Sequence, residues 1–360
     1  MSDAFPIIDL SGNAKCRGLE YGKVTASKIE HGLAIYRADF ERRGFDWDDA
    51  LHTAEQYFEI FEEFDAELSE EIAAIALGAE MALAEIVLLN ARTELGFGVQ
   101  ETLGSEECTS LLALPEATAT GRLLHGQNWD WRPECSETAV VLRIAGADGH
   151  GMLVFCEAGQ LARHGLNSKG LALTANGLET PADATAKGVP TPVVRRRMLM
   201  QHTLAEAAGV LLNSSRSASH AITISQSEGE AFCFEITPDH VFWSLPEDGL
   251  STHANHFKDP IARMTIKDLG LLRHPESLYR DSRSEKGLRR AHGKIDRKCF
   301  EQILADDYGT PNSICRPPFA RVDGARSATV ASLIMEPASG RLWIAKNPWA
   351  GPKYTEYSFD

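Results

Sequence analysis

The chain has 360 residues, 43% hydrophobic and 24% charged, and its 36 Lys and Arg are outnumbered by 51 Asp and Glu. A formal charge of −15 repels phosphate backbones and anionic lipid surfaces, so neither nucleic acid nor a membrane is an expected partner. Seven scattered cysteines contain no CxxC pair, so neither a zinc site nor a thioredoxin-like motif is suggested, and MSDAFPIIDLSG has no secretory pattern; the expected compartment is the cytoplasm. After an extended start at 5–10, helices are predicted near 22–38, 47–62 and 66–92. Glu80 and Glu85 lie inside the apolar stretch 72–90, which marks a packed amphipathic helix rather than a membrane span. The character of the chain changes at Leu103-Gly104-Ser105. Strands follow at 108–114, 123–131, 138–145, 151–157, 170–176, 220–226, 231–236 and 240–243. Helices return at 190–212 and 260–305, the second with a break from Arg280 to Lys286. A hairpin closes the chain, with strands at 327–336 and 341–346 around a turn at 337–340. Helices, strands, helices, strands in that order predict an α+β layered domain rather than βαβ units.

Several residues carry candidate chemistry. Cys108 opens a strand after a polar loop. Taken alone it reads as a small buried hydrophobe, and Glu106 and Glu107 before it disfavour a thiolate. His125-Gly126-Gln127-Asn128-Trp129-Asp130-Trp131 reads either as a Trp-rich hairpin edge or as a polar pocket wall in which Asp130 orients a reacting group. Ser313-Ile314-Cys315-Arg316 ends in a guanidinium suited to a carboxylate, though a surface arginine fits as well. His253 and His256 have metal-like spacing without a matching ligand set, so no metal is expected. Asn255 between them is a candidate oxyanion donor. Glu157-Ala158-Gly159 and Gly165 to Gly170 read as hairpin turns. Arg195-Arg196-Arg197 reads as a solvated helix face.

In this order the pieces resemble the acyl-coenzyme A:6-aminopenicillanic acid acyltransferase family, a branch of the autoproteolytic N-terminal nucleophile hydrolases. The resemblance runs from Cys108-Thr109 through GQNWD at 126–130, EAG at 157–159, GLNSKG at 165–170 and HANH at 253–256 to SICR at 313–316. It implies a four-layer αββα sandwich with an N-terminal helical pro-segment. It also implies self-cleavage between Glu107 and Cys108, dividing the chain into 1–107 and a catalytic domain 108–360. Cys108 would then be nucleophile, with Asp130 and Arg316 beside it and Asn255 as oxyanion donor. Trp129, Trp131 and Asn176 are candidates for the substrate pocket. No cofactor is expected.

The chemistry follows from the α-amine. Its unperturbed pKa of about 7.7–8.0 leaves it partly unprotonated at neutral pH, so it can serve as base for its own thiol of about 8.5. The expected activity is hydrolysis of a small N-acyl amine or amide through a thioester. The alternatives are acyl transfer from acyl-CoA or an amide donor to an amine, a non-catalytic binding module on the same scaffold, and a metal hydrolase using His253 and His256. The expected partners are a small-molecule substrate and the chain's own cleaved subunit, with homo-oligomers and acyl-CoA left open. Glu107 departs from the glycine that precedes the nucleophile in well-known members, and a Cβ forbids conformations open to glycine.

Overall fold

The computed structural model describes residues 3–97, 107–146, 149–321 and 324–360, so Leu103 to Ser105, where the sequence changes character, lies outside it. Strand β1 (Ile7–Ser11) leads into α1 (Ala14–Arg42), α2 (Trp47–Phe64), α3 (Ala66–Ala79) and α4 (Leu83–Phe97). Side-chain caps set three of these starts. Asn13 accepts the amide of Cys16, Asp46 those of Asp48 and Asp49, and Asp65 that of Leu68. The single helix expected over 66–92 is two, because Glu80 turns left-handed (φ 57°) and ends α3. The first and third helices touch through glycine: a Cβ on Gly22 would lie 2.2 Å from the carbonyl oxygen of Ile75.

The remaining strands are β2 (Glu107–Ala113), β3 (Leu124–Trp131), β4 (Ala139–Ala145), β5 (Gly151–Glu157), β6 (His164–Asn167), β7 (Leu171–Gly177), β8 (His220–Gln226), β9 (Glu230–Ile236), β10 (Val241–Ser244), β11 (Leu250–His253), β12 (Phe319–Ala320), β13 (Arg326–Glu336), β14 (Arg341–Lys346) and β15 (Tyr354–Tyr357). One sheet has the order β1-β4-β5-β6-β7-β8-β9-β10, the other β11-β2-β3-β13-β14-β15 with β12 on β13. The stretch read as turns at 165–170 holds a short strand, β6, paired with β5 and β7.

Helices α5 (Thr191–Leu199) and α6 (Leu204–Asn213) cover the first sheet, while α9 (Ser277–Arg290) and α10 (Arg297–Leu304) cover the second. Between them run α7 (Pro260–Thr265) and α8 (Leu269–Arg273). The α9 helix is continuous through the expected break at 280–286. The sheets face each other. His125 and Gln127 of β3 bond to Thr174, Ser225 and Ala175 of the opposite sheet. The outcome is the αββα sandwich expected from the resemblance. No described helix is long and apolar enough to cross a membrane.

The N-terminal segment is built into this sandwich. Its strand β1 pairs in parallel with β4 at the sheet edge. Two of the three arginines read as a solvated face, Arg195 and Arg196, are buried, while the Arg197 side chain is 40% exposed; Arg196 donates to both oxygens of Glu71 at 3.0 and 3.1 Å. Arg17 reaches the same carboxylate at 2.8 Å. Replacing Glu71 by Ala leaves the buried Arg196 guanidinium without its carboxylate, while Arg17 keeps Glu67 at 2.9 Å, and is expected to cost about 3–5 kcal/mol. Denaturant unfolding measures this, and a loss below about 1 kcal/mol would remove the pair from the stability argument.

Candidate active site

Strand β2 is buried along its whole length, between β3 and β11. Its register sets Cys108 opposite Trp129 and Glu107 opposite Asp130. Residues directly opposite share a face and neighbours alternate. Cys108, 0% exposed, therefore looks with Trp129 into the core between the sheets. Glu107 and Asp130 look the other way, toward the helices that cover the second sheet.

Two side chains grip the backbone of Cys108. Its N–H donates to Oδ1 of Asn255 at 2.9 Å, and its carbonyl accepts from Nη1 of Arg280 at 2.7 Å. Arg280, 0% exposed, also donates to the Thr109 hydroxyl at 2.9 Å and to Oδ1 of Asn255 at 2.8 Å. Asn255 is fixed in turn, with Nδ2 on the Gly177 carbonyl at 2.9 Å and its backbone N–H on the Ser277 hydroxyl at 2.7 Å. Its amide oxygen, not its nitrogen, thus faces Cys108.

Across the pleat lies a buried charge cluster. The Glu107 carboxylate meets Nη1 of Arg316, Nη1 of Arg321 at 2.8 Å and Nδ1 of His274 at 3.4 Å. Arg316 also lies 3.3 Å from Asp130 and 3.3 Å from Glu276. The Arg316 backbone is pinned by the Thr329 hydroxyl, which itself donates to Asp130 at 2.6 Å. Burial pushes the Asp130 carboxyl up to about 7, against the pull of Arg280 and Thr329. An acid whose folded pKa is raised keeps its proton while the unfolded chain has lost it. Its contribution to stability therefore falls as pH rises from about 4 to about 7. Asp130→Asn is expected to flatten that decline. Denaturant unfolding of both proteins at pH 5 and 7.5 tests it, and parallel declines would contradict it.

The acyl-coenzyme A:6-aminopenicillanic acid acyl-transferase family matches residues 117–348. The chain belongs to that family. The matched span holds Asp130, Asn255, Arg280 and Arg316, and begins after Cys108. The 40 kDa form of an acyl-coenzyme A:6-aminopenicillanic-acid-acyltransferase from Emericella nidulans is 29% identical over 288 residues, 78% of this chain and 76% of that protein. Among solved structures, a mutant conjugated bile acid hydrolase from Clostridium perfringens aligns with a TM-score of 0.48 at 15% identity, covering 69% of this chain and 92% of that one. Penicillin V acylase from Agrobacterium tumefaciens aligns at 0.47 and 12%, covering 70% and 86%.

Of the residues singled out in the sequence, Cys108 and Asn255 meet directly, and Glu107, Asp130 and Arg316 meet one another across the pleat. Asn176 lies close by, its amide on the His253 carbonyl at 3.1 Å. Trp129 and Trp131 are held as core residues. Trp129 packs edge-on to Phe155 beneath Arg163, and Trp131 donates to Tyr36 at 3.0 Å beneath Arg92 and Arg132. His253 binds Glu235 at 2.8 Å and His256 binds Ser277 at 2.7 Å, so the two rings serve separate partners. Among the described residues one trio, Glu107, His274 and Glu276, has metal-compatible spacing, but Arg316 and Arg321 already occupy its carboxylates.

Arg280, His274, Glu276 and Arg321 were not singled out from the sequence. Arg280 and Ser277 share the inward face of α9 with Ser284 and Leu288, a spacing of three and four. That pattern was the available signal, hidden because the segment is so charged. Arg321 had none, since its partners come from distant parts of the chain.

Proposed function

We propose that this protein is a self-processing cysteine amidohydrolase acting on a small N-acyl amine or amide. The observation that carries the reading is the grip of Asn255 and Arg280 on the Cys108 backbone, beside the clamped Glu107. The Cys108 thiol attacks the Glu107 carbonyl, the C–N bond breaks as its nitrogen takes a proton, and a thioester forms. Water then adds and the C–S bond breaks, leaving a carboxylate on Glu107 and a free amine on Cys108. Asn255 Oδ1 is placed to accept from that amine. In the processed enzyme the amine takes the thiol proton, the sulfur attacks the substrate carbonyl, and the amine product leaves protonated. Water completes hydrolysis. For Asn255 also to serve as oxyanion donor, its Nδ2 must exchange the Gly177 carbonyl for the acyl oxygen. Asp130, Arg316 and Arg280 act through Glu107 and the strand backbone, positioning the scissile bond. The seven free cysteines support a reducing compartment such as the cytoplasm.

Acyl transfer is the second reading, favoured by the family name and the E. nidulans relative. It differs only in the last step, where an amine rather than water takes the acyl group from sulfur. Incubation with a simple N-acyl amine is expected to release free acid without any thioester donor. Product appearing only from acyl-CoA plus an amine would replace hydrolysis by transfer.

A further inference from the structure

The residue on the acyl side of the proposed cut bears on the choice of later acyl groups. In self-processing the sulfur of Cys108 takes Glu107 as its first acyl group. The walls around the Glu107 side chain are therefore an acyl subsite with its occupant in place. A glycine before the nucleophile would give such a subsite no side chain to hold. Here the occupant is a carboxylate, 2% exposed, at the start of β2.

Three N–H-bearing side chains converge on it. Arg316 meets one carboxylate oxygen through Nη1, and Arg321 donates from Nη1 to the other at 2.8 Å. His274 stands 3.4 Å from that second oxygen through Nδ1. A guanidinium only donates, so the contact of Arg321 Nη2 with His274 Nε2 at 3.0 Å leaves the ring proton on Nδ1, shared between Glu107 and Glu276. Asp130 and Glu276 also lie 3.3 Å from Arg316, but Glu107 is the carboxylate that bridges both guanidiniums. Burial, with Arg321 beside it, pushes the Arg316 guanidinium down to about 9. Two guanidiniums packed together away from water favour an anion between them, and a carboxylate matches their fork. All three side chains belong to 108–360 and stay with the nucleophile when the bond to Glu107 is cut. The Glu107 carboxylate lies on the other face of β2 from the thiol. Only its own short side chain separates it from the carbonyl that the sulfur attacks.

We propose that Arg316, Arg321 and His274 form the acyl subsite of the processed enzyme and select acyl groups ending in a carboxylate at the reach of a glutamate side chain, namely N-glutaryl amines. The inference rests on the self-processing hydrolase reading of Cys108. Once cut from Cys108, Glu107 withdraws and the glutaryl carboxylate takes its place between the two guanidiniums. The sulfur attacks the glutaryl carbonyl, and the C–N bond breaks as the amine nitrogen takes the proton that the Cys108 amine received from the thiol. Water then frees glutarate from sulfur.

Processed protein, purified after full-length expression, tests this with N-glutaryl and N-pentanoyl p-nitroanilide, which differ only in the terminal carboxylate. By release of p-nitroaniline, kcat/KM is expected to favour the glutaryl compound by about tenfold or more, because a site built for a polar group rejects the analogue lacking it. Arg321→Met is expected to bring that ratio to about one. A ratio near one in the unaltered protein overturns the subsite and leaves the hydrolase reading standing. So does an unchanged ratio in a folded, processed Arg321→Met protein. If neither anilide is cleaved, calorimetry decides: glutaramate is expected to bind about tenfold or more tightly than pentanamide, and equal affinity overturns the subsite. A chain that stays whole at 360 residues removes the self-processing reading, and the subsite falls with it.

Discussion

A Cys108→Ala chain is expected to lose amide hydrolysis by a factor on the order of 10⁶, the scale seen when a hydrolase loses its nucleophile. It is also expected to persist as one species of 360 residues. The unaltered protein should instead give two masses, for residues 1–107 and 108–360. In the proposed mechanism both losses come from one sulfur atom, because the thiol that would take the acyl group from Glu107 is the thiol that would later take it from substrate. Removing the sulfur leaves a methyl group in a fully buried position beside Trp129, so the fold should survive and circular dichroism should be unchanged. Intact mass and a single amide assay read the two effects separately. Retained hydrolysis in the alanine variant would move the nucleophile elsewhere. Retained cleavage would mean that another protease makes the cut.

The second large effect is expected at Arg316. Its guanidinium lies among three carboxylates, Glu107, Asp130 and Glu276, and is 0% exposed. Arg316→Met keeps much of the bulk and removes the charge. Breaking a buried ion pair by taking one partner typically costs about 3–5 kcal/mol, because the other charge is left without compensation. Here Arg321 still reaches Glu107, but Asp130 loses its guanidinium. The variant should unfold at lower denaturant and process slowly or not at all. Adding Glu107→Gln should recover part of the stability, since it removes one of the carboxylates left behind. A double-mutant cycle gives the coupling. Additive stability losses would show that the two residues do not act on each other and would dissolve the clamp.

Much of the architecture was legible in local pattern. The alternating run from Leu124 to Trp131 reads as a strand, and the structure gives its two faces different work: His125, Gln127 and Trp129 to the facing sheet, Asn128 and Asp130 to the helices. What escaped depends on partners far off in the chain. Arg196 resembles any solvated arginine until Glu71 closes on it from 125 residues away. Arg280 sits in so charged a segment that 280–286 reads as a break. Its inward turn is dictated by the Cys108 carbonyl 172 residues earlier. Trp129 and Trp131 illustrate the opposite case: conspicuous letters whose contacts are those of packing. The resemblance singled out Asp130, Asn255 and Arg316, but not the side of β2 on which each would stand.

The strand order also bears on when during synthesis this protein can become reactive. The partners of β3 are β2, close in sequence, and β13, where Trp131 pairs with Ala328 nearly two hundred residues later. Arg316 and Thr329, which complete the cluster around Glu107, come from the same late stretch. Long-range pairings of this kind form late, because the loop-closure entropy of the intervening chain must first be overcome. A nascent chain that ends before Arg316 therefore lacks the strand that backs β3 and the guanidinium that meets Glu107. If the chain cuts itself as proposed, the cut waits until almost the whole polypeptide has left the ribosome. A chain truncated before β13 would carry the thiol without the means to use it.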